Sequence, residues 1–281
     1  MRAARLQSLT ERAGGPPAPR LTSLCYNAPL SEAKTRMQSV GVAQPGVPHP
    51  ASGLSATDRD RLAARLFTIG HSNHELDRFL NLLRRAGVTA IADVRSSPFS
   101  QRYPQFNQPQ LRQALGQHRV GYIHLGDELG GRPGDAGMYD GEGRVDYWRV
   151  RQGRVFRAGL VRLLEAVEDH AVAMLCTEED PLECHRGLMI CPELVEHGIR
   201  PRHVRGNGSL ETTPQLELRL SDLTGVGRGI LDGLFAASVT PEERASLIAE
   251  AYRVQARRRA FRLAPGEGIG AIAHTEEFAA E

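Results

Sequence analysis

The feature that most constrains this chain is an alternation that begins at Leu66 and runs to Val204. Five short apolar runs, LFTIG, VTAIADVR, VGYIHL, AVAMLC and IRPRHV, are separated by stretches in which apolar residues recur at helical spacing. An apolar run that ends in glycine, as LFTIG does, reads as a buried strand. The segment after it, HSNHELDRFLNLLRRAG, reads as a helix. Leu76, Phe79, Leu80 and Leu83 fall on one face, Ser72 or Asn73 can cap the start, and Gly87 ends it. QPQLRQALGQH, the long YWRVRQGRVFRAGLVRLLEAVEDH and CHRGLMICPELVEHG are further helices. Pro192 lies inside the last of these, where a proline kinks or breaks a helix. Strands and helices in this order predict an α/β fold. It is a Rossmann-like three-layer sandwich with a mainly parallel sheet of about five strands.

That architecture places residues in space. Right-handed crossovers put every strand C-terminus on one edge of the sheet, and ligands bind there. His71, Ser72 and Asn73 follow the first strand. Asp93, Arg95, Ser96 and Ser97 follow the second, His124 the third, and Cys176, Glu178 and Glu179 the fourth.

The flanks differ. Residues 1–64, with GGPPAPR and AQPGVPHPASG, show no strand or helix period and read as a disordered N-terminal arm. Residues 65–212 form the α/β domain, and 213–281 a helical C-terminal extension. Thr240-Pro241-Glu242-Glu243 opens a helix there, and Arg257, Arg258 and Arg259 end it.

Bulk properties exclude some classes. The net charge of +2 on 281 residues is not that of a polycation. Lys34 is the only lysine among 35 basic residues, so almost every cation is an arginine, suited to forked recognition of carboxylate or phosphate. Four cysteines are too few for a disulfide framework in a chain this long. The N-terminus lacks the apolar core of a secretory signal, and no apolar run is long enough to span a membrane. A cytoplasmic protein with reduced thiols and no membrane partner is expected.

Three of the cysteines lie in LCTEEDPLECHRGLMIC. Cys176 ends a strand and Cys184 opens a helix, so both face the ligand edge. Amide dipoles at a helix N-terminus lower a thiol pKa, and His185 and Arg186 stand beside Cys184. That suits a nucleophilic thiolate, with Cys176, Cys184, His185 and Glu178 as the catalytic set. The same spacing suits a metal held by Cys176, Cys184 and His185, for which zinc or iron is the cofactor expected. A pair of ordinary buried thiols is the third reading. Cys191 lies two helical turns beyond Cys184, about 10 Å along the axis, and reads as core.

A second cluster is DVRSSPFSQRYPQFN. Arginine with serine hydroxyls and free amides receives oxyanions. His71, Ser72, Asp93, Arg95, Ser97, Ser100 and Arg186 are therefore the substrate-binding candidates. The glycine-rich stretch GDELGGRPGDAGMYDGEGR reads as a lid over the site. It matches neither a P-loop nor a dinucleotide fingerprint. Arg257, Arg258 and Arg259 are positioned to touch a phosphate backbone.

These motifs occur together. TIGHS, DVR-x-x-P-x-S, LGG and C-x-E-x5-CHR, in that order over residues 66 to 208, resemble the DUF488 family, whose function is unassigned. The resemblance carries the family's recurring positions onto Gly70, His71, Ser72, Asp93, Arg95, Pro98, Ser100, Gly130, Gly131, Cys176, Glu178, Cys184, His185 and Arg186. It implies a shared site at the ligand edge and names no substrate.

Three functions stand open. The first is an enzyme acting on a nucleotide-like or other anionic small molecule. The second is a nucleic-acid-binding or sensing protein that uses its basic C-terminal helix. The third is a domain stabilised by a structural metal.

Overall fold

A computed structural model describes residues 51, 53–233 and 236–264. Residues 1–50 and 52 of the expected arm, and the tail past Ala264, lie outside the described residues. The end of the arm is helical: α1 spans Ala56–Arg65. Ser55 accepts from the Asp58 amide while the Asp58 carboxylate accepts from the Ser55 amide, a reciprocal cap that fixes the start. Leu62 alone is buried on it, and the otherwise polar surface hides the helical period.

The sheet is built from β1 (Leu66–Gly70), β2 (Ala90–Asp93), β3 (Gly121–His124), β4 (Val172–Cys176), β5 (Arg202–Val204) and β6 (Leu210–Thr212). Its order is β3-β2-β4-β1-β5-β6, with the first five strands parallel and β6 antiparallel at the edge. The sixth strand has only three residues, too few to show a period.

Helices cover both faces. Leu66, Ala92, Val94, Val172 and Met174 join Leu160, Leu163 and Val167 in one apolar cluster. Phe67, Ile69, Ile91, Ala173 and Leu175 join Phe79, Leu83, Leu111 and Leu115 in the other. Successive strand residues point to opposite layers, which is why these strands are apolar throughout.

The helices of this sandwich are α2 (Leu76–Ala86), α3 (Gln108–Gln117), the single turn α4 (Gly126–Leu129), α5 (Tyr147–Gln152) and α6 (Arg154–Asp169). Gly87 ends α2 in the left-handed region at φ 71°, as expected. Its start is capped by neither Ser72 nor Asn73: Glu75 holds the N-cap position without a side-chain bond. The long helix expected after the glycine-rich stretch breaks at Gly153, whose extended backbone separates α5 from α6.

Pro192 has a local solution. Arg186–Ile190 form a π turn in which the Cys191 amide reaches the Arg186 carbonyl. The helix α7 (Cys191–Glu196) then restarts with the proline in its first turn, where no amide is needed. Beyond β6, α8 (Thr213–Thr224) and α9 (Pro241–Arg259) place Leu216, Leu220, Ile248 and Tyr252 in the same core as β1 and β4. Among the described residues no helix is long and apolar enough to cross a membrane.

The chain leaves β2 toward β3 and leaves β4 in the opposite direction, toward β5. Adjacent parallel strands with diverging exits open a crevice at their C-terminal ends. Residues after Asp93 and after Cys176 line it.

Candidate functional site

Parallel pairing sets Gly70 beside Cys176 and Asp93 beside Leu175. The His71 amide donates to the Cys176 carbonyl at 3.0 Å and the Ser72 amide to Thr177 at 2.8 Å, so the two loops run on side by side. Gly70 permits this. A Cβ there would stand 1.8 Å from the Glu178 carbonyl oxygen.

Four expected residues converge at the crevice. One ligating atom from each of Cys176, Glu178 and Cys184 lies within 4.8 Å of the others. Cys176 Sγ lies 3.0 Å from Glu178 Oε2, in hydrogen-bond contact, and 3.7 Å from His185 Nδ1. His185 Nε2 donates to the Val94 carbonyl at 2.8 Å, which leaves Nδ1 turned to the sulfur. Both thiols are buried and free.

Arg186 lies under them with no exposed surface. Its Nη1 donates to the Glu178 carbonyl at 2.7 Å and to Cys184 Sγ at 2.9 Å, and its Nη2 donates to Glu179 at 2.7 Å. It is closed to a substrate and acts on the thiols and their loop, a different place from the anion-binding role its sequence suggests. An ionised guanidinium without solvent needs an anionic partner, and the thiol pair supplies it.

The two sulfurs share one negative charge. The hydrogen bond from Cys184 pulls Cys176 well below the usual thiol range against its burial, and His185 and Arg186 add to this. Burial, then the bond to Cys176, push Cys184 well above that range. Burial works against protonation of His185, but the Cys176 charge beside it outweighs that and raises it. Glu178 is an exposed residue whose carboxyl end turns in toward the sulfur; desolvation there and the Cys176 charge lift it to about 7. Cys191 is core: burial pushes its thiol up to about 12.

The second cluster is neighbouring and more structural. Asp93 is fully buried and Arg95 nearly so. Arg95 Nε and Nη2 grip the two Asp93 oxygens at 2.9 and 2.6 Å, and Nη2 also donates to the Phe106 carbonyl at 2.9 Å. Tyr122 donates to Asp93 Oδ2 at 2.8 Å. His71 stacks on Phe106 at 4.4 Å and donates from Nδ1 to the Ser72 carbonyl at 2.8 Å. Burial, then the charge of Arg95, lower it to about 4, so its ring is neutral near pH 7.

The serines divide. Ser72 takes a left-handed φ of 50°, strained for a residue with a side chain. Ser97 is half-buried on the loop after Arg95. Ser100 holds that loop instead: its Oγ accepts from the Tyr103 amide at 3.1 Å, and its own amide donates to Asn107 at 2.6 Å.

The glycine-rich stretch, expected as a lid, is packed down. Arg132 donates its amide to Ser96 Oγ at 3.0 Å. Gly131 lies against the imidazole, where a Cβ would come within 2.9 Å of His185 Cγ and Nδ1. Arg144 pairs with Arg262 in an isolated bridge.

Two features escape a sequence reading. Tyr147 is buried at the start of α5, and its pKa is raised by burial, then by the charges of Cys184, Cys176 and Glu178. Asp146 caps that helix and could have fixed its start, but nothing local predicts that Tyr147 is buried within the field of the thiols. An ion-pair clamp also holds the loop after β4. Arg205 binds Glu179 at 2.9 Å, and Arg219 binds Asp180 at 2.8 Å and Glu211 at 2.7 Å.

Two of the three arginines at the end of α9, Arg258 and Arg259 but not Arg257, have partners among the described residues. Arg259 pairs with Glu183 at 2.9 Å, and Arg258 donates to the Leu223 carbonyl at 3.2 Å.

Residues 75–190 match the model of DUF488, a domain of unknown function. The chain carries a DUF488 domain. The matched segment takes in Asp93, Arg95, Gly130, Gly131 and the whole Cys176–Arg186 cluster, so the crevice belongs to the DUF488 core. Gly70 and His71 precede the matched residues, and α8 and α9 follow them. No curated protein and no solved structure matches the chain.

Proposed function

We propose that this DUF488 protein is a cytoplasmic enzyme that uses Cys176 as its nucleophile on an anionic small molecule. One observation carries the reading: a buried thiol whose sulfur meets both a carboxyl group at 3.0 Å and an imidazole at 3.7 Å. The charge favours Cys176 over Cys184, the reverse of the order suggested by the helix N-terminus alone.

The roles follow from the geometry. The thiolate of Cys176 attacks an electrophilic atom of the substrate, and the bond to the leaving group breaks. Glu178, titrating at about 7, gives that group its proton. Water then attacks the enzyme-bound group. Its proton goes to Glu178, its oxygen stays with the product, and the thiolate is released. His185 and Arg186 hold the negative charge in place. Arg95 has Nη1 left over from its grip on Asp93, and with Ser97 it would receive the anionic part of the substrate.

A second reading rests on the donor set. Cys176, Glu178 and Cys184 would offer zinc three donors, with His185 Nδ1 3.7 Å from the Cys176 sulfur and oriented by the Val94 carbonyl. The nucleic-acid reading is weaker on these grounds, because Arg258 and Arg259 engage groups of the chain itself.

The test is the pH dependence of alkylation by iodoacetamide, read peptide by peptide by mass spectrometry. Cys176 should react with a midpoint well below 9, while Cys191 stays unreactive. Turnover found on any acyl, alkyl or phosphoryl donor should vanish in Cys176→Ser and survive in Cys191→Ser. A Cys176 that reacts only above pH 9, or stoichiometric zinc that is lost in Cys184→Ser, would sink the nucleophile assignment.

A further inference from the structure

Behind the thiols, helices α5, α7, α8 and α9 surround a cavity of about 510 Å³. That is within the size range of small-molecule sites. Leu188, Val195, Ile248 and Ala249 give it apolar walls. Trp148 and Tyr252 add aromatic rings.

Two polar groups in this wall lack partners. Glu217 of α8 is 7% exposed and makes no hydrogen bond or ion pair among the described residues. Tyr252 Oη is buried with no hydrogen-bond partner there. Buried polar groups almost always have partners; Tyr252 Oη is closed off even from water, so the unpaired Glu217 carboxylate is the place on this cavity that a ligand would fill. Arg200 and Arg244 line the same space and act on the Glu217 carboxylate without pairing with it.

We propose that this cavity binds a small ring compound carrying both an N–H donor and an anionic group. Glu217 takes the N–H, Arg200 and Arg244 take the anion, and the ring lies against Trp148 and Tyr252. An aromatic wall is suited to a flat ring, and a buried carboxylate beside it selects a donor on the ring's edge. The site is separate from the thiol centre. None of Cys176, Glu178 and Cys184 lines the cavity.

The chain carries its own reporter, because Trp148 is its only tryptophan. The probe is 8-anilinonaphthalene-1-sulfonate, which has an aromatic body, an anilino N–H and a sulfonate. Titrated into the full-length protein, it should quench Trp148 by energy transfer, saturating at one probe per chain. Ala249→Phe should abolish this by filling the space, with folding checked by circular dichroism. The near-isosteric Glu217→Gln should weaken binding by about tenfold, the scale of one hydrogen bond to a charged group, and it serves alone if the larger substitution fails to fold. Cys176→Ser should bind as the wild type does. Quenching that does not saturate, unchanged binding in Glu217→Gln, or loss of binding in Cys176→Ser would each overturn the proposal.

Discussion

Arg186 and Cys184 are two residues apart and meet at 2.9 Å from guanidinium to sulfur, with no solvent on the arginine. The contact joins the fold to its chemistry. The same guanidinium satisfies the carbonyls of Glu178 and Glu179, so it shapes the loop that carries the acid and fixes the charge on the thiol pair. Replacing Arg186 by methionine keeps much of the volume but leaves two carbonyls and a thiolate without their cation. A loss of about 3–5 kcal/mol is expected, as for a broken buried pair. Urea unfolding measures it. In whatever remains folded, the alkylation midpoint of Cys176 should rise. An unchanged midpoint would mean that the cation does not set the thiol's charge.

Gly131 gives a milder probe of the same charge. Its substitution by alanine presses a methyl group onto the His185 ring, 2.9 Å from Cγ and Nδ1. Side chains can yield where backbone cannot, so the fold should survive at a cost of about 1–3 kcal/mol. The imidazole should turn from the sulfur, and Cys176 should need a higher pH to react. Gly70→Ala is the control. Its methyl would meet the backbone oxygen of Glu178 at 1.8 Å, and the protein should lose far more stability. Thermal melting of the two variants side by side checks the ordering.

Much of this was legible in the sequence, and the failures have physical causes. The alternation around LFTIG and AVAMLC gave the parallel sheet, because a strand buried on both faces must be apolar throughout. It also put the residues that follow each strand, Cys176 and Glu178 among them, on one edge of the sheet; that Cys176 pairs with Gly70 needed the strand order. The helix at residues 56–65 was missed because only Leu62 of it meets the core. The three-residue β6 had no period to read. Arg186 read as a surface anion binder because charged side chains are rarely buried whole, and only the fold reveals the partners that permit it. Tyr147 is buried on a helix distant in sequence from the thiols whose charges act on it, which no local pattern encodes. The order of the two thiols depends on which sulfur the imidazole faces, and that needs atoms.

Glu178 makes a prediction about pH and stability. Its folded pKa, about 7, lies above its value in an unfolded chain. Between the unfolded value and about 7 the folded chain holds a proton that the unfolded chain has released. The contribution is therefore fully present at acid pH and is lost as pH rises through 7. Glu178→Gln should remove that decline, so wild type and variant should differ in the slope of melting temperature against pH. His71 has the opposite sign. Its folded value of about 4 makes its contribution present above the ordinary histidine range and lost as pH falls through 4. An unchanged slope in Glu178→Gln would place that carboxyl in water, away from Cys176.

Zinc tests how the donors are arranged. Cys176, Glu178 and Cys184 have ligating atoms within 4.8 Å of one another, and His185 Nδ1 lies 3.7 Å from the Cys176 sulfur, outside that group. A metal there needs deprotonated sulfur, so binding should release protons and strengthen as pH rises. One equivalent of zinc added to metal-free protein should protect Cys176 from iodoacetamide, and a chelator should restore the reaction. Cys184→Ala should weaken that protection by at least about tenfold, as loss of one ligand or its support does. Protection that needs many equivalents, or that survives Cys184→Ala unchanged, would mean that the two sulfurs do not act on one ion. The alkylation chemistry of Cys176 would then have to be explained by the Glu178–His185 pair alone.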